Sequence, residues 1–146
     1  MREISGMSVL ITGGGSGIGE GAARHFAARG AKVTITGRRA DKVDAVAKSI
    51  GPACRAVAGD VTKHADREAM LKASVEHGGK LDLLVNNAAN MYRQAVHEYT
   101  EDFLREAFET NVISAMMLSS MAVPLLEPTR GAIVFLGSVH NRRAFP

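Results

Sequence analysis

Short apolar runs alternate along the chain with longer segments in which apolar residues recur every three or four positions. The short runs predict strands, and the longer amphipathic segments predict helices. We predict strands at residues 9–11, 32–36, 55–58, 81–85 and 132–136 and helices at residues 18–27, 41–50, 64–77 and 100–126. Strands that alternate with helices favour an α/β fold with a doubly wound parallel sheet. We therefore expect one Rossmann-like domain over residues 1–146, with about five strands flanked by helices.

Three details of the pattern refine this prediction. Residues 81–85 are continuously rich in Leu and Val, which predicts a strand buried on both faces. Pro124 lies inside the last helical pattern and is expected to bend or end that helix. The fifth strand would be an exposed edge of the sheet, because no further strand follows it in this sequence.

The most informative segment joins the first strand to the first helix. Five glycines follow Thr12 within residues 13–19, at Gly13, Gly14, Gly15, Gly17 and Gly19. A glycine-rich turn lets the backbone approach a ligand closely, and the unpaired N–H groups of the new helix attract an anion. The spacing T-G-x-x-x-G-x-G differs from the generic G-x-G-x-x-G pattern, and no Gly-Lys-Ser/Thr follows as in a Walker phosphate loop. The segment predicts a phosphate-binding turn, with a merely tight turn as the alternative.

Composition narrows the remaining classes of function. The net charge is +3, and the 18 basic residues are scattered, which argues against nucleic-acid binding. The five histidines and the single cysteine, Cys54, show no metal-ligand spacing, so we predict no metal site. A single cysteine cannot form an internal disulfide, and the first apolar run is too short for a signal peptide. We expect a cytoplasmic protein without a membrane span.

Several separated motifs together resemble the short-chain dehydrogenase/reductase family. The Thr12–Gly19 turn is similar to that family's cofactor loop, and Asp60-Val61 is similar to its adenine-contacting pair. Asn86-Asn87-Ala88-Ala89 resembles its N-N-A-G element, with alanine in place of the last glycine. The resemblance implies a nicotinamide dinucleotide held by these cofactor-binding residues: Gly13, Gly15, Ser16, Gly17, Ile18, Gly19, Arg38, Asp60, Val61, Asn87 and Ala88.

The residues themselves leave structural alternatives open for these positions. Asp60 could be only a turn residue before the third helix, and the Asn86-Asn87 pair could be only a bridge between strand ends. The second strand ends in Gly37-Arg38, where a carboxylate would favour NAD and an arginine accommodates the extra phosphate of NADP. We therefore predict NADP through Arg38, with NAD as the alternative cofactor and a solvated arginine as the structural alternative.

The resemblance also implies a reaction and its residues. The expected activity is hydride transfer between the nicotinamide and a small-molecule carbonyl or alcohol substrate. Ser138 would hydrogen-bond the substrate oxygen, and Asn111 would hold a water chain. The family's Tyr-x-x-x-Lys motif is expected about a dozen residues after Ser138, beyond Pro146. We therefore expect the front portion of a longer enzyme, inactive alone.

Other functions stay open on the sequence alone. One alternative is a non-catalytic dinucleotide-binding or sensing module, and a more distant one is a methyl-transfer enzyme on a similar fold. The resemblance further implies a homo-oligomer that pairs the long helix of residues 100–126 between subunits.

Overall fold

The computed structural model describes residues 3–91 and 94–138. Within these residues, one five-stranded parallel sheet has the strand order β3-β2-β1-β4-β5. This arrangement confirms the predicted doubly wound α/β fold. The strands are β1 (Ser8–Thr12), β2 (Lys32–Gly37), β3 (Cys54–Ala58), β4 (Leu83–Asn86) and β5 (Ala132–Phe135).

Helices cover both faces of the sheet because successive residues of each strand point to opposite sides. They are α1 (Gly17–Ala27), α2 (Ala40–Ile50), α3 (His64–Gly78), α4 (Glu101–Phe108) and α5 (Ser114–Leu126). Val9 and Ile11 of β1 pack in one core with residues of α1 and α2. Leu10, between them, packs in a second core with residues of α3 and α5. All four residues of β4 are buried, as its continuous apolar run predicts.

The helix predicted at residues 100–126 is interrupted at a position that the pattern of apolar residues does not indicate. A π-helical turn, Glu109–Ile113, separates α4 from α5, and the backbone N–H of Ser114 donates to the Glu109 carbonyl. Pro124 lies inside α5, which continues to Leu126 before a 3₁₀ turn. A π-turn accommodates one extra residue in a helix and often marks a functional site.

The helical segment Glu101–Thr129 is long and apolar enough to cross a membrane. In its most apolar stretch of 18 residues, 28% of the residues are buried inside the protein. A core helix of a globular protein meets the same criterion. Here Leu118 and Ala122 are fully buried against the sheet. The absence of a membrane span stays a prediction from the sequence.

Candidate functional site

A cleft opens at the carboxyl edge of the sheet, where the strand order changes direction. β1 pairs with β2 on one side and with β4 on the other, so the connections leaving β1 and β4 diverge. Ligands of open α/β sheets bind at such a switch point. The cleft has a volume of about 470 Å³. Nine predicted cofactor residues line it: Gly13, Gly15, Ser16, Ile18, Arg38, Asp60, Val61, Asn87 and Ala88.

The glycine-rich turn has the backbone shape that the sequence predicts. Gly17 has a φ of 57°, in the left-handed region, and it begins α1. A Cβ on Gly19 would meet the Gly13 carbonyl oxygen and would lie 2.5 Å from Asn87 Nδ2. Gly19 therefore allows the first turn of α1 to pack against the loop, and Ile18 beside it is 70% exposed and borders the cleft. The start of α1 borders the cleft through Ser16 and Ile18, and among the described residues Gly17 and Gly19 are not part of the lining.

The hydroxyl of Thr12 joins the two strands below the cleft. Thr12 is 1% exposed, and its Oγ1 accepts hydrogen bonds from the backbone N–H groups of Asn87 at 3.0 Å and Ala88 at 2.9 Å. The same hydroxyl lies 3.4 Å from the Val85 carbonyl oxygen, to which it donates. The Thr12 side chain therefore ties the end of β1 to the segment after β4.

Asn87 bridges two strand ends and also borders the cleft. Its Nδ2 donates to the carbonyl oxygens of Thr12 at 2.8 Å and Gly13 at 3.1 Å, so it bridges strand ends. Asn87 also lines the cleft. The neighbouring Asn86 is buried and donates to Ser119 Oγ at 3.0 Å, which attaches β4 to α5. The predicted bridge between strand ends is therefore formed by Asn87, whereas the Asn86 side chain joins a strand to a helix.

Asp60 and Val61 follow β3 and are fixed by a small polar network. Asp60 Oδ1 accepts from the backbone N–H and the hydroxyl of Thr62, both at 2.9 Å. Asp66 accepts from the Asp60 N–H at 2.7 Å, and the buried Arg67 donates to the Val61 carbonyl oxygen at 2.7 Å. Asp60 is thus a turn residue and also a wall of the cleft.

The Asp60 carboxylate keeps its negative charge readily. Partial burial alone would raise the pKa of Asp60, but the two Thr62 donors and the nearby charges of Arg38 and Lys63 outweigh that effect. The net result is a pKa below the ordinary value of 3.8. At neutral pH, Asp60 is therefore a hydrogen-bond acceptor at the cleft wall.

The side chains around the cleft are biased toward positive charge. Arg38, Arg39 and Lys42 line it, against one carboxylate, Asp60. All three cations come from the β2–α2 connection or the first turn of α2. An excess of cations beside a glycine-rich helix N-terminus favours a ligand that carries several phosphates.

Asn111 lies in the π-helical turn and contacts the segment after β4. Its Oδ1 accepts from the Asn90 backbone N–H at 2.8 Å, and its Nδ2 donates to the Asn90 carbonyl oxygen at 3.0 Å. Both ends of the amide are therefore engaged with the backbone of one residue, Asn90. The water chain that the resemblance implies stays a prediction.

Ser138 lies three residues past β5, at the same edge of the sheet. β5 pairs with β4 through Asn86 and Phe135, and the Leu136 N–H donates to the Asn86 carbonyl oxygen at 2.9 Å. Ser138 is exposed, and among the described residues it is not part of the lining of the 470 Å³ cleft. Its catalytic role stays a prediction.

The structure adds residues that the sequence did not single out as site residues. Thr12 has an organising role, and Asn90 and Thr110 line the cleft. Thr12 is the first residue of the T-G-x-x-x-G-x-G motif, so its place in that motif could have indicated a role at the site. Asn90 and Thr110 belong to no motif, and their position depends on the packing of the π-helical turn against the β4 edge. Within residues 3–91 and 94–138, no cluster of three His, Cys, Asp or Glu side chains could hold a metal ion.

Curated proteins similar to this chain are oxidoreductases. Galactitol 2-dehydrogenase of Agrobacterium fabrum is 38% identical over 136 residues, covering 92% of this chain and 53% of that protein. Meso-2,3-butanediol dehydrogenase of Serratia marcescens is 38% identical over 133 residues, covering 90% of this chain and 53% of that protein. The chain spans about half the length of these relatives.

The fold and the whole sequence lead to the same family. The structure is similar to the crystal structure of 3-ketoacyl-(acyl-carrier-protein) reductase from Brucella melitensis complexed with NADH, with a TM-score of 0.92 and 32% identity. That similarity covers 98% of this chain and 62% of the other. The model of the short chain dehydrogenase family matches residues 7–146. The chain therefore belongs to the short-chain dehydrogenase family.

Proposed function

We propose that this chain forms the cofactor-binding portion of an oxidoreductase that prefers NADP(H) and interconverts an alcohol and a carbonyl compound. The observation that carries the proposal is the cleft itself, where three cations and one carboxylate surround a glycine-rich helix N-terminus. The names of the relatives, which act on polyols or diols, support the reaction class.

The residues present fit a dinucleotide. The pyrophosphate would lie against the N-terminus of α1, which borders the cleft through Ser16 and Ile18. The adenosine would lie between Asp60-Val61 on one side and Ala88 on the other, since all three border the cleft. When bound, the nicotinamide supplies or accepts the hydride.

The remaining roles fall to this chain's own side chains. Ser138, three residues after β5, would hold the substrate oxygen by a hydrogen bond. Asn111 would keep the segment after β4 in place through its two bonds to the Asn90 backbone.

Binding is measured from the fluorescence of the reduced nicotinamide, since the chain contains no Trp that would absorb or transfer energy. NADPH should bind saturably and more tightly than NADH. The Arg38→Asp variant should shift the ratio of the two affinities toward NADH by about tenfold or more, because it replaces charge-assisted phosphate contacts with repulsion. An unchanged ratio would refute the NADP preference.

The non-catalytic alternative predicts the same binding without turnover. It is tested on the full-length gene product by following NADPH oxidation at 340 nm with a panel of ketones and aldehydes. Turnover by the wild type, lost in Ser138→Ala while NADPH still binds, supports the oxidoreductase. Binding without any turnover supports a dinucleotide sensor.

A homo-oligomer and a cytoplasmic location belong to the same proposal. Phe108, Val112 and Met116 follow one another at helical spacing and are 59%, 46% and 59% exposed. An apolar stripe of this kind is typical of a subunit contact. Sedimentation analysis of the wild type and of Met116→Glu tests it, and a wild-type monomer would contradict it.

A further inference from the structure

We propose that Asn90 is a positioning residue that sets cofactor specificity by orienting Arg38 toward the 2′-phosphate of NADP(H). The inference rests on the proposed function. Its observation is a hydrogen bond across the cleft, in which Arg38 Nη2 donates to Asn90 Oδ1 at 2.9 Å. Arg38 follows β2 and Asn90 follows β4, so the bond joins the two sides of the central strand β1.

Packing alone leaves the Arg38 side chain free to turn. Arg38 is exposed and borders the cofactor cleft on one side. It also borders a second cavity of about 750 Å³ on the other side, against α4, and Asp60 borders both. A long side chain between two open volumes has many accessible rotamers. Within the described part of the chain, the bond to Asn90 is the hydrogen bond that holds this guanidinium.

Asn90 is itself held firmly enough to act as an anchor. The Asn111 side chain accepts from the Asn90 N–H at 2.8 Å and donates to the Asn90 carbonyl oxygen at 3.0 Å. Both of these bonds use the Asn90 backbone, whereas the bond to Arg38 uses the Asn90 side chain. A substitution of that side chain removes the contact to Arg38 and leaves the peptide in its place.

The bond to Asn90 orients Arg38 without neutralising it. A guanidinium has five N–H donors, and an amide oxygen occupies one of them. The remaining donors can grip a phosphate in two parallel charge-assisted bonds. A neutral acceptor adds no negative charge beside the guanidinium to that of the nearby Asp60, whereas a carboxylate at position 90 would compete with the phosphate. Holding one arginine in place before binding is worth about a twofold to tenfold gain in affinity.

The test uses two fragments that differ by one group, adenosine 2′,5′-bisphosphate and adenosine 5′-monophosphate, titrated calorimetrically. Asn90→Ala should weaken binding of the bisphosphate about threefold to tenfold and change binding of the monophosphate by less than about twofold. Asn90→Asp should weaken the bisphosphate further, since its charge pairs with Arg38 and repels the phosphate. Thermal melting by circular dichroism shows that each variant is folded.

Two controls separate positioning from general damage. Gln94→Ala removes another exposed amide, one that donates to the Glu98 carbonyl oxygen, and should leave both affinities unchanged. In an Arg38→Ala background, Asn90→Ala should have no further effect, because the residue acts through Arg38.

The outcomes distinguish this inference from the proposed function. Equal or tighter bisphosphate binding by Asn90→Ala overturns the inference, as does an effect of that variant that persists without Arg38. A wild type that binds both fragments equally, or neither, overturns the NADP preference and this inference together, and it does so before any Asn90 variant is made.

Discussion

Thr12 offers the sharpest test of how the cleft is built. Thr12→Val keeps the shape of the side chain but removes the oxygen that accepts from the N–H groups of Asn87 and Ala88. The two donors lose their partner at once, and the weak bond to the Val85 carbonyl oxygen is lost as well. The segment after β4 is then attached to β1 mainly through the Asn87 side chain.

The loss of stability expected for Thr12→Val follows from the number of hydrogen bonds it removes and from how deeply their donors are buried. A lost hydrogen bond costs about 1 kcal/mol net, and a buried donor left unsatisfied costs about 1–3 kcal/mol. Asn87 and Ala88 are half-buried, so water can reach their N–H groups in part and each costs near the lower end of that range. We expect Thr12→Val to lower the free energy of unfolding by about 2–3 kcal/mol.

Thr34 in β2 is the matched control. It is 1% exposed, as Thr12 is, but within the described residues its Oγ1 has no hydrogen-bond partner. Replacing an unsatisfied buried hydroxyl by a methyl group removes a desolvation cost of about 1–3 kcal/mol. Thr34→Val should therefore be neutral or stabilising, although it is the same substitution in the neighbouring strand.

Urea unfolding followed by far-ultraviolet circular dichroism measures both variants, at equal protein concentration and with the m-values compared. The urea concentration at the unfolding midpoint should be lower than in wild type for Thr12→Val, and unchanged or higher for Thr34→Val. The reasoning is refuted if Thr12→Val lies within about 0.5 kcal/mol of wild type, or if the two variants are destabilised alike.

Three further predictions concern backbone strain, pH and thiol reactivity. Gly17→Ala should lower the free energy of unfolding in urea by about 1–2 kcal/mol, because Gly17 has a positive φ. Gly21→Ala, in the interior of α1, should raise the same free energy by about 0.5–1 kcal/mol. Equal effects of the two substitutions would contradict the strain argument. Because folding lowers the pKa of Asp60, its contribution to stability is present above the ordinary value of 3.8 and is lost as pH falls through the folded pKa. The advantage of wild type over Asp60→Asn should be constant from pH 5 to 7 and shrink below about pH 4, and a constant difference down to pH 2 would count against this linkage. Burial raises the pKa of the Cys54 thiol to about 11, against the opposing effect of the Arg24 charge. Iodoacetamide at pH 8 should therefore alkylate Cys54 far more slowly in the folded protein than in the protein unfolded by urea. Similar alkylation rates would show that the thiol is accessible in the folded protein.

Most of the fold could be predicted because its signals are local. A strand or a helix is encoded by the spacing of apolar residues within about ten positions. The order of strands and helices then places every strand's carboxyl end at one edge of the sheet. For that reason the sequence predicts one cleft for Gly13, Arg38, Asp60 and Asn87, which follow four different strands, and the four residues line it together.

The sequence by itself determined the parallel sheet, the glycine-rich turn and the residue types at the cleft. Tertiary structure alone decided the π-helical turn, the Thr12 hydroxyl as a joint between strands, and the Asn111–Asn90–Arg38 series of contacts. Its links join residues 21 and 52 positions apart. Such contacts form only when the elements pack, because a side chain finds its partner through the distance and angle between elements. Those quantities depend on the whole core, and no local pattern of apolar and polar residues carries them.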